Sequence, residues 1–104
     1  MAKVSLIARI EVKPDKADDF AAAWDSMFEH IAANEPGTEH YVLHRVKEKP
    51  NIFYVSEVYM DQAAFEAHSG SDAFAGLLGS LGDFVVNAEM DISEPLRSAK
   101  GLIH

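Results

Sequence analysis

From Lys3 to Lys13 apolar and polar positions alternate. Leu6, Ala8, Ile10 and Val12 fall on one side, and Ser5, Ile7, Arg9 and Glu11 on the other. A period of two marks a β-strand. Pro14 ends it, having no N–H for a ladder. Asp15 is predicted to cap a helix, with Asp18 in a capping-box position. From Lys16 to Asn34 the period changes, and Phe20, Trp24, Met27, Phe28 and Ile31 form one amphipathic stripe.

Asn34-Glu-Pro-Gly37 punctuates the chain. Two alternating segments follow, Thr38–Lys47 and Ile52–Met60, and the four residues Glu48 to Asn51 between them predict a hairpin loop. Asp61 can cap a short helix over Gln62–His68, which Ser69-Gly70-Ser71 breaks. Ser71 can cap another helix carrying Phe74, Leu77, Leu78, Leu81, Phe84 and Val85. A last strand runs from about Ala88 to Pro95. The order is β-α-β-β-α-β with the second helix broken. It predicts one α+β domain over 1–104, a ferredoxin-like split β-α-β with an antiparallel sheet.

Such a plan puts both helices on one sheet face and leaves the other open. The third strand is largely apolar on both sides: Phe53, Val55 and Tyr59 flank Glu57 on one, while Ile52, Tyr54, Ser56, Val58 and Met60 line the other. Ile7 adds to a second face. A second copy of the chain is the expected cover, since a monomer rarely exposes so large an apolar patch.

The net charge is −8, from 9 Lys+Arg against 17 Asp+Glu. The basic residues are scattered, so neither nucleic acid nor an anionic membrane is an expected partner. There are no cysteines, which excludes disulfides, thiolate catalysis and zinc–thiolate sites. The N-terminus lacks signal-peptide features, and no run approaches the ~20 apolar residues of a membrane helix. A cytoplasmic location is expected. No G-x-G-x-x-G, P-loop, G-x-S-x-G or H-E-x-x-H is present.

The run from Glu35 to Arg45, EPGTEHYVLHR, opens a stretch that resembles the antibiotic biosynthesis monooxygenase (ABM) domain family. The likeness continues through Phe53 to Tyr59 (FYVSEVY), Asp61 to His68 (DQAAFEAH) and Ser71 to Phe74 (SDAF), and covers roughly Lys3 to Met90. The resemblance implies a dimeric α/β barrel whose two sheets face each other, with a pocket between sheet and helices in each subunit. It also implies a range of chemistries: cofactor-free oxygenation of phenols or quinols, haem degradation, and reactions of other small metabolites. Haem degraders use an Asn, a Trp and a His at positions that correspond here to Ala8, Tyr59 and Leu78. The iron ligand is therefore missing.

Glu57 shares its strand face with apolar neighbours. Desolvation there would raise its pKa and suit it to proton transfer; a structural pairing with Arg9, Arg45 or a backbone amide is the alternative. Tyr59 matches the family's aromatic position and can stack on a planar substrate or donate its hydroxyl, or serve as a core tyrosine. His68 ends the short helix and can act as acid or base, or cap that helix. His40 and His44 lie four apart, about 13 Å along a strand, too far for one metal ion. One of them is expected to line the pocket or the dimer barrel, and His44 is taken as the substrate contact. Gly76, Gly79 and Gly82 interrupt the last helix, through close approach to the sheet or through room left for a ligand.

The expected function is cofactor-independent monooxygenation of a small phenolic or quinol-type compound. Glu57, His68 and Tyr59 form the catalytic set, Phe53, Trp24, Phe74 and His44 hold the substrate, and no metal or cofactor is called for. An isomerase or other proton-shuttling enzyme on a small metabolite is one alternative. A non-catalytic dimeric small-ligand or stress protein is another.

Overall fold

Strand β1 (Val4–Val12) follows the alternation, with Ala8, Ile10 and Val12 buried. The computed structural model describes residues 2–103; Met1 and His104, the ends of the expected domain, lie outside the described residues. After β1 the structure departs from the single predicted helix. Pro14–Lys16 forms a 3-10 turn, followed by α1 (Ala17–Ala22) and α2 (Asp25–Asn34). Asp15 caps neither: the cap positions are Lys13 and Lys16, without side-chain bonds. At the break the Trp24 N–H donates to Ala21 O, three residues back rather than four. That tightening leaves the apolar stripe facing inward. Phe20, Trp24 and Met27 are buried, and Phe20 lies 4.7 Å from the Phe53 ring.

The hairpin joins β2 (Thr38–Val46) to β3 (Lys49–Tyr59). Its loop is Lys47-Glu48, two residues shorter than predicted. Pro50 is tolerated inside β3 because the β2 register jumps between Arg45 and Val46, and pairing with β1 begins only at Ile52. The Asn51 amide donates to Val12 O across the gap. Both predicted caps of the broken helix form. Asp61 accepts from Ala64 N–H at the start of α3 (Gln62–Ser69), and Ser71 accepts from Phe74 N–H at the start of α4 (Asp72–Leu81). Strand β4 (Val85–Ser93) starts three residues earlier than expected, so Phe84 and Val85 lie outside the helix.

The sheet has the order β2-β3-β1-β4, and each pairing is antiparallel. Side chains of β1 and β3 form one core with α1, α2 and α4. This is the α+β, ferredoxin-like fold. On the opposite sheet face Ile52 and Val58 are buried, while Ile7, Tyr54 and Met60 are partly exposed. His40 and His44 lie there too, both with Nε2 on the Ser56 hydroxyl, at 2.9 and 3.0 Å. No helix among the described residues is long and apolar enough to cross a membrane.

Close approach to the sheet does not explain the glycines of α4. A Cβ built on Gly76 or Gly79 meets nothing within 4 Å, and both residues are exposed. Glycine in a helix interior costs ~1 kcal/mol against alanine. Gly76→Ala with Gly79→Ala is therefore expected to stabilise the chain by about 1–2 kcal/mol, read as a higher midpoint in urea. An unchanged or lower midpoint would show that the open helix face has another occupant.

Candidate active site

A cavity of about 440 Å³ lies between the sheet and the helices. Its floor is apolar: Leu6, Ala8 and Ile10 from β1, and Ala88, Met90 and Ile92 from β4. The pairing register makes this floor, since Leu6 faces Ile92, Ala8 faces Met90 and Ile10 faces Ala88. Trp24, Phe74 and Leu77 wall the sides. Four polar residues reach the lining: Tyr41, Glu57, His68 and Ser69.

Glu57 arrives on the helix-facing side of β3, opposite Tyr41 of β2. The Tyr59 hydroxyl donates to its Oε1 at 2.5 Å. Burial pushes the Glu57 carboxyl up to about 7; the Tyr59 bond works against that rise, and the nearby Glu35 charge adds to it. Burial, then the charge of Glu57, also pushes the phenols of Tyr41 and Tyr59 well above their ordinary value. Both tyrosines therefore keep their protons, and Tyr59 acts as a donor. Neither Arg9 nor Arg45 pairs with Glu57. Arg45 instead bonds Asp18 and Ala17 O and lies over the Phe53 ring.

His68 does not cap α3. Its ring is buried between Tyr41, Tyr59 and Phe74, with centroids 5.2, 5.4 and 5.2 Å away. Nδ1 lies 2.9 Å from Glu35 Oε1. Facing a carboxylate, Nδ1 must carry the hydrogen, which leaves the Nε2 lone pair free in the neutral ring. Nε2 is buried and has no hydrogen-bond partner among the described residues; the indole N–H of Trp24 is in the same condition. Glu35 sits just past α2 and takes two further bonds. Thr38 Oγ1 donates at 2.7 Å and His30 Nε2 lies 3.0 Å from Oε2. A carboxylate that orients an imidazole whose second nitrogen is free is the arrangement of a general base.

Of the expected site residues, Glu57, His68, Trp24 and Phe74 come together on the cavity. Tyr59 stands behind the wall, wholly buried, and reaches the cavity only through Glu57. Phe53 is not part of the lining; it is a core residue against Phe20. His44 is on the opposite sheet face, because β2 turns Tyr41 and Leu43 inward and His40 and His44 outward. Two residues were missed. Tyr41 carried a signal, as its alternation with Leu43 puts it on the face of Glu57. Glu35 carried none beyond its place in the turn, since its partner is 33 residues away.

Ala8 forms floor and Leu78 the half-open mouth, so no imidazole stands where a haem degrader needs one. Among the described residues no group of three or more His, Cys, Asp or Glu is arranged to hold a metal ion. The sequence model of the antibiotic biosynthesis monooxygenase family matches residues 3–77. The chain belongs to this family. That span contains Trp24, Glu35, Tyr41, Glu57, His68 and Phe74.

Several proteins are similar to it over most of their length. The Bacillus subtilis (strain 168) protein named "Putative monooxygenase YcnE" is 29% identical over 89 residues, which is 86% of this chain and 92% of that one. A Caulobacter crescentus CB15 crystal structure carrying the family's description is 25% identical, with a TM-score of 0.86 and 92% of each chain covered. A conserved protein from Methanosarcina mazei Go1 is 26% identical, with a TM-score of 0.80 over 89% of this chain and 92% of its own.

Proposed function

We propose that this family member is a cofactor-independent monooxygenase of a small, planar phenol- or quinol-type compound, working as a homodimer. The observation that carries the reading is His68, held by Glu35 with Nε2 unpartnered among the described residues, in the wall of a mostly apolar cavity. A phenolic hydroxyl would supply the missing partner, and the ring would lie between Trp24, Phe74 and the floor. A buried polar atom left without a bond costs about 1–3 kcal/mol, so a ligand that satisfies it gains in specificity.

In this mechanism His68 takes the phenolic proton at Nε2. The electron-rich ring then reduces dioxygen and forms a C–O bond at a ring carbon bearing hydrogen. The O–O bond breaks; one oxygen stays as a carbonyl, and the other leaves as water with the phenolic and ring protons. Glu57, near neutrality with its carboxyl at about 7, is suited to move the second proton. The apolar walls keep bulk water from the intermediate. The homodimer is supported by the partly exposed Ile7, Tyr54 and Met60 on the open sheet face, which a second copy would cover.

Oxygen uptake by the purified protein with a panel of hydroquinones tests the reading. At least one compound should be turned over, and Glu57→Ala with His68→Ala should lower the rate by about a hundredfold or more. Equal rates for the two proteins would remove the mechanism. An isomerase would use the same two proton carriers, and conversion without oxygen uptake would favour it. A purely binding or structural role fits less well, because Glu57 accepts from a single internal donor among the described residues.

A further inference from the structure

The mechanism above leaves His30 unused, although it touches the base's own carboxylate. Three side chains stand in line from the cavity outward: His68, Glu35 and His30. Nδ1 of His68 is 2.9 Å from Glu35 Oε1, and Nε2 of His30 is 3.0 Å from Glu35 Oε2. Their exposures grade from inside to outside, with side-chain values of 2% for His68, 6% for Glu35 and 26% for His30. The buried pair therefore meets water through His30. The other contacts of Glu35 do not serve that purpose: Thr38 donates to it from the start of β2, and a hydroxyl bonded this way holds the carboxylate in place.

We infer that His30 is a positioning and proton-exchange residue, joining the buried His68–Glu35 pair to solvent. The inference rests on the reading of His68 as the base of the site. When His68 becomes imidazolium, its Nδ1 proton can move to Glu35. The proton is handed over at Glu35 Oε2, which lies 3.2 Å from His68 Nδ1 and 3.0 Å from His30 Nε2. His30 accepts it in the tautomer whose hydrogen is on Nδ1; that nitrogen lies 3.4 Å from the Asn34 side-chain amide, which must turn its oxygen toward it, and the Nδ1 proton then leaves to water. An imidazole suits this step because it takes a proton at one nitrogen while releasing one at the other. The base can thus be reset while a ligand seals the cavity. His30 touches no substrate and acts only through Glu35.

The test needs no turnover. In the full chain labelled with 15N-histidine, NMR gives the tautomer of His68 and the rate at which its Nδ1 proton exchanges with water near pH 6. His30→Gln keeps an amide donor beside Glu35 but cannot relay a proton. It is expected to leave the His68 tautomer unchanged and to slow the exchange by about a hundredfold, the low end of what a positioned proton carrier contributes. His30→Asn should behave alike. If His30 merely shields the carboxylate, its loss lets water in, and an unchanged or faster exchange would overturn the inference. Failure of the oxygenase reading shows separately, as absent oxygen uptake with normal exchange in the wild type.

Discussion

At pH 8 the Glu57→Gln variant is expected to be about 3 kcal/mol more stable than the wild type, and at pH 4 the two should nearly match. Burial raises the Glu57 carboxyl to about 7 from an ordinary 4.5, so the folded chain holds this proton more tightly than the unfolded one. Below the unfolded value both states carry the proton and nothing is lost. As pH rises toward 7 only the unfolded chain gives it up, and stability falls. Above 7 the folded chain must keep a charge in an apolar wall, and the full cost applies. Glutamine is neutral throughout and still accepts the Tyr59 hydroxyl, so it removes the pH dependence and little else. For a chain of this size the gap amounts to a Tm difference on the order of 10–20 °C. Calorimetry of both proteins at the two pH values decides it; an equal offset at both would show that Glu57 is not desolvated.

Gly37→Ala is expected to cost about 1–3 kcal/mol by overpacking. No left-handed backbone is involved, since Gly101 has the single positive φ among the described residues. The need is space. A Cβ on Gly37 would come within 2.6 Å of the Ala64 Cβ and 3.3 Å of the Met60 sulfur. The Met60 sulfur, on a half-exposed flexible side chain, can move aside, but the Ala64 Cβ cannot, because the Asp61 cap holds its backbone. The urea midpoint should fall with its slope unchanged, and adding Ala64→Gly should cost less in the Gly37→Ala background than in the wild type, where it carries the ~1 kcal/mol helix cost of glycine. A single variant as stable as wild type, or an Ala64→Gly cost equal in both backgrounds, would sink the argument.

The strands and the Asp61 and Ser71 caps were legible because their causes are local, whereas the expected Asp15 cap did not form. Alternation fixed the inward face of β1, and Asp61 and Ser71 bond within their own first turns. The missed features depend on contacts the chain makes elsewhere. The stripe from Phe20 to Ile31 is the same in one helix or two, so only the Trp24 turn itself reveals the break between α1 and α2. Pro50 looked like a loop residue because proline cannot serve a regular ladder, and it was the irregular register that admitted it. In the site, Glu57, His68, Trp24 and Phe74 were readable from strand face and helix position. His44 was assigned to the wrong face by residue type, against the parity of its own strand. Glu35 was beyond reach, since what makes it functional is a histidine two strands and most of a helix further on.

The pairing of β1 with β4 bears on when the site comes into being. Ser5 and Ser93 meet hydroxyl to hydroxyl across 88 residues of chain, and half of the cavity floor belongs to β4. Closing so long a loop is slow relative to forming the hairpin. The dyad of Glu35 and His68 can assemble beforehand, but it would then stand in an open trough wet on one side. The cavity is finished by the zipping of a single edge strand, so any compound that binds there works as a clasp on two strands that are neighbours in the sheet but lie at opposite ends of the sequence.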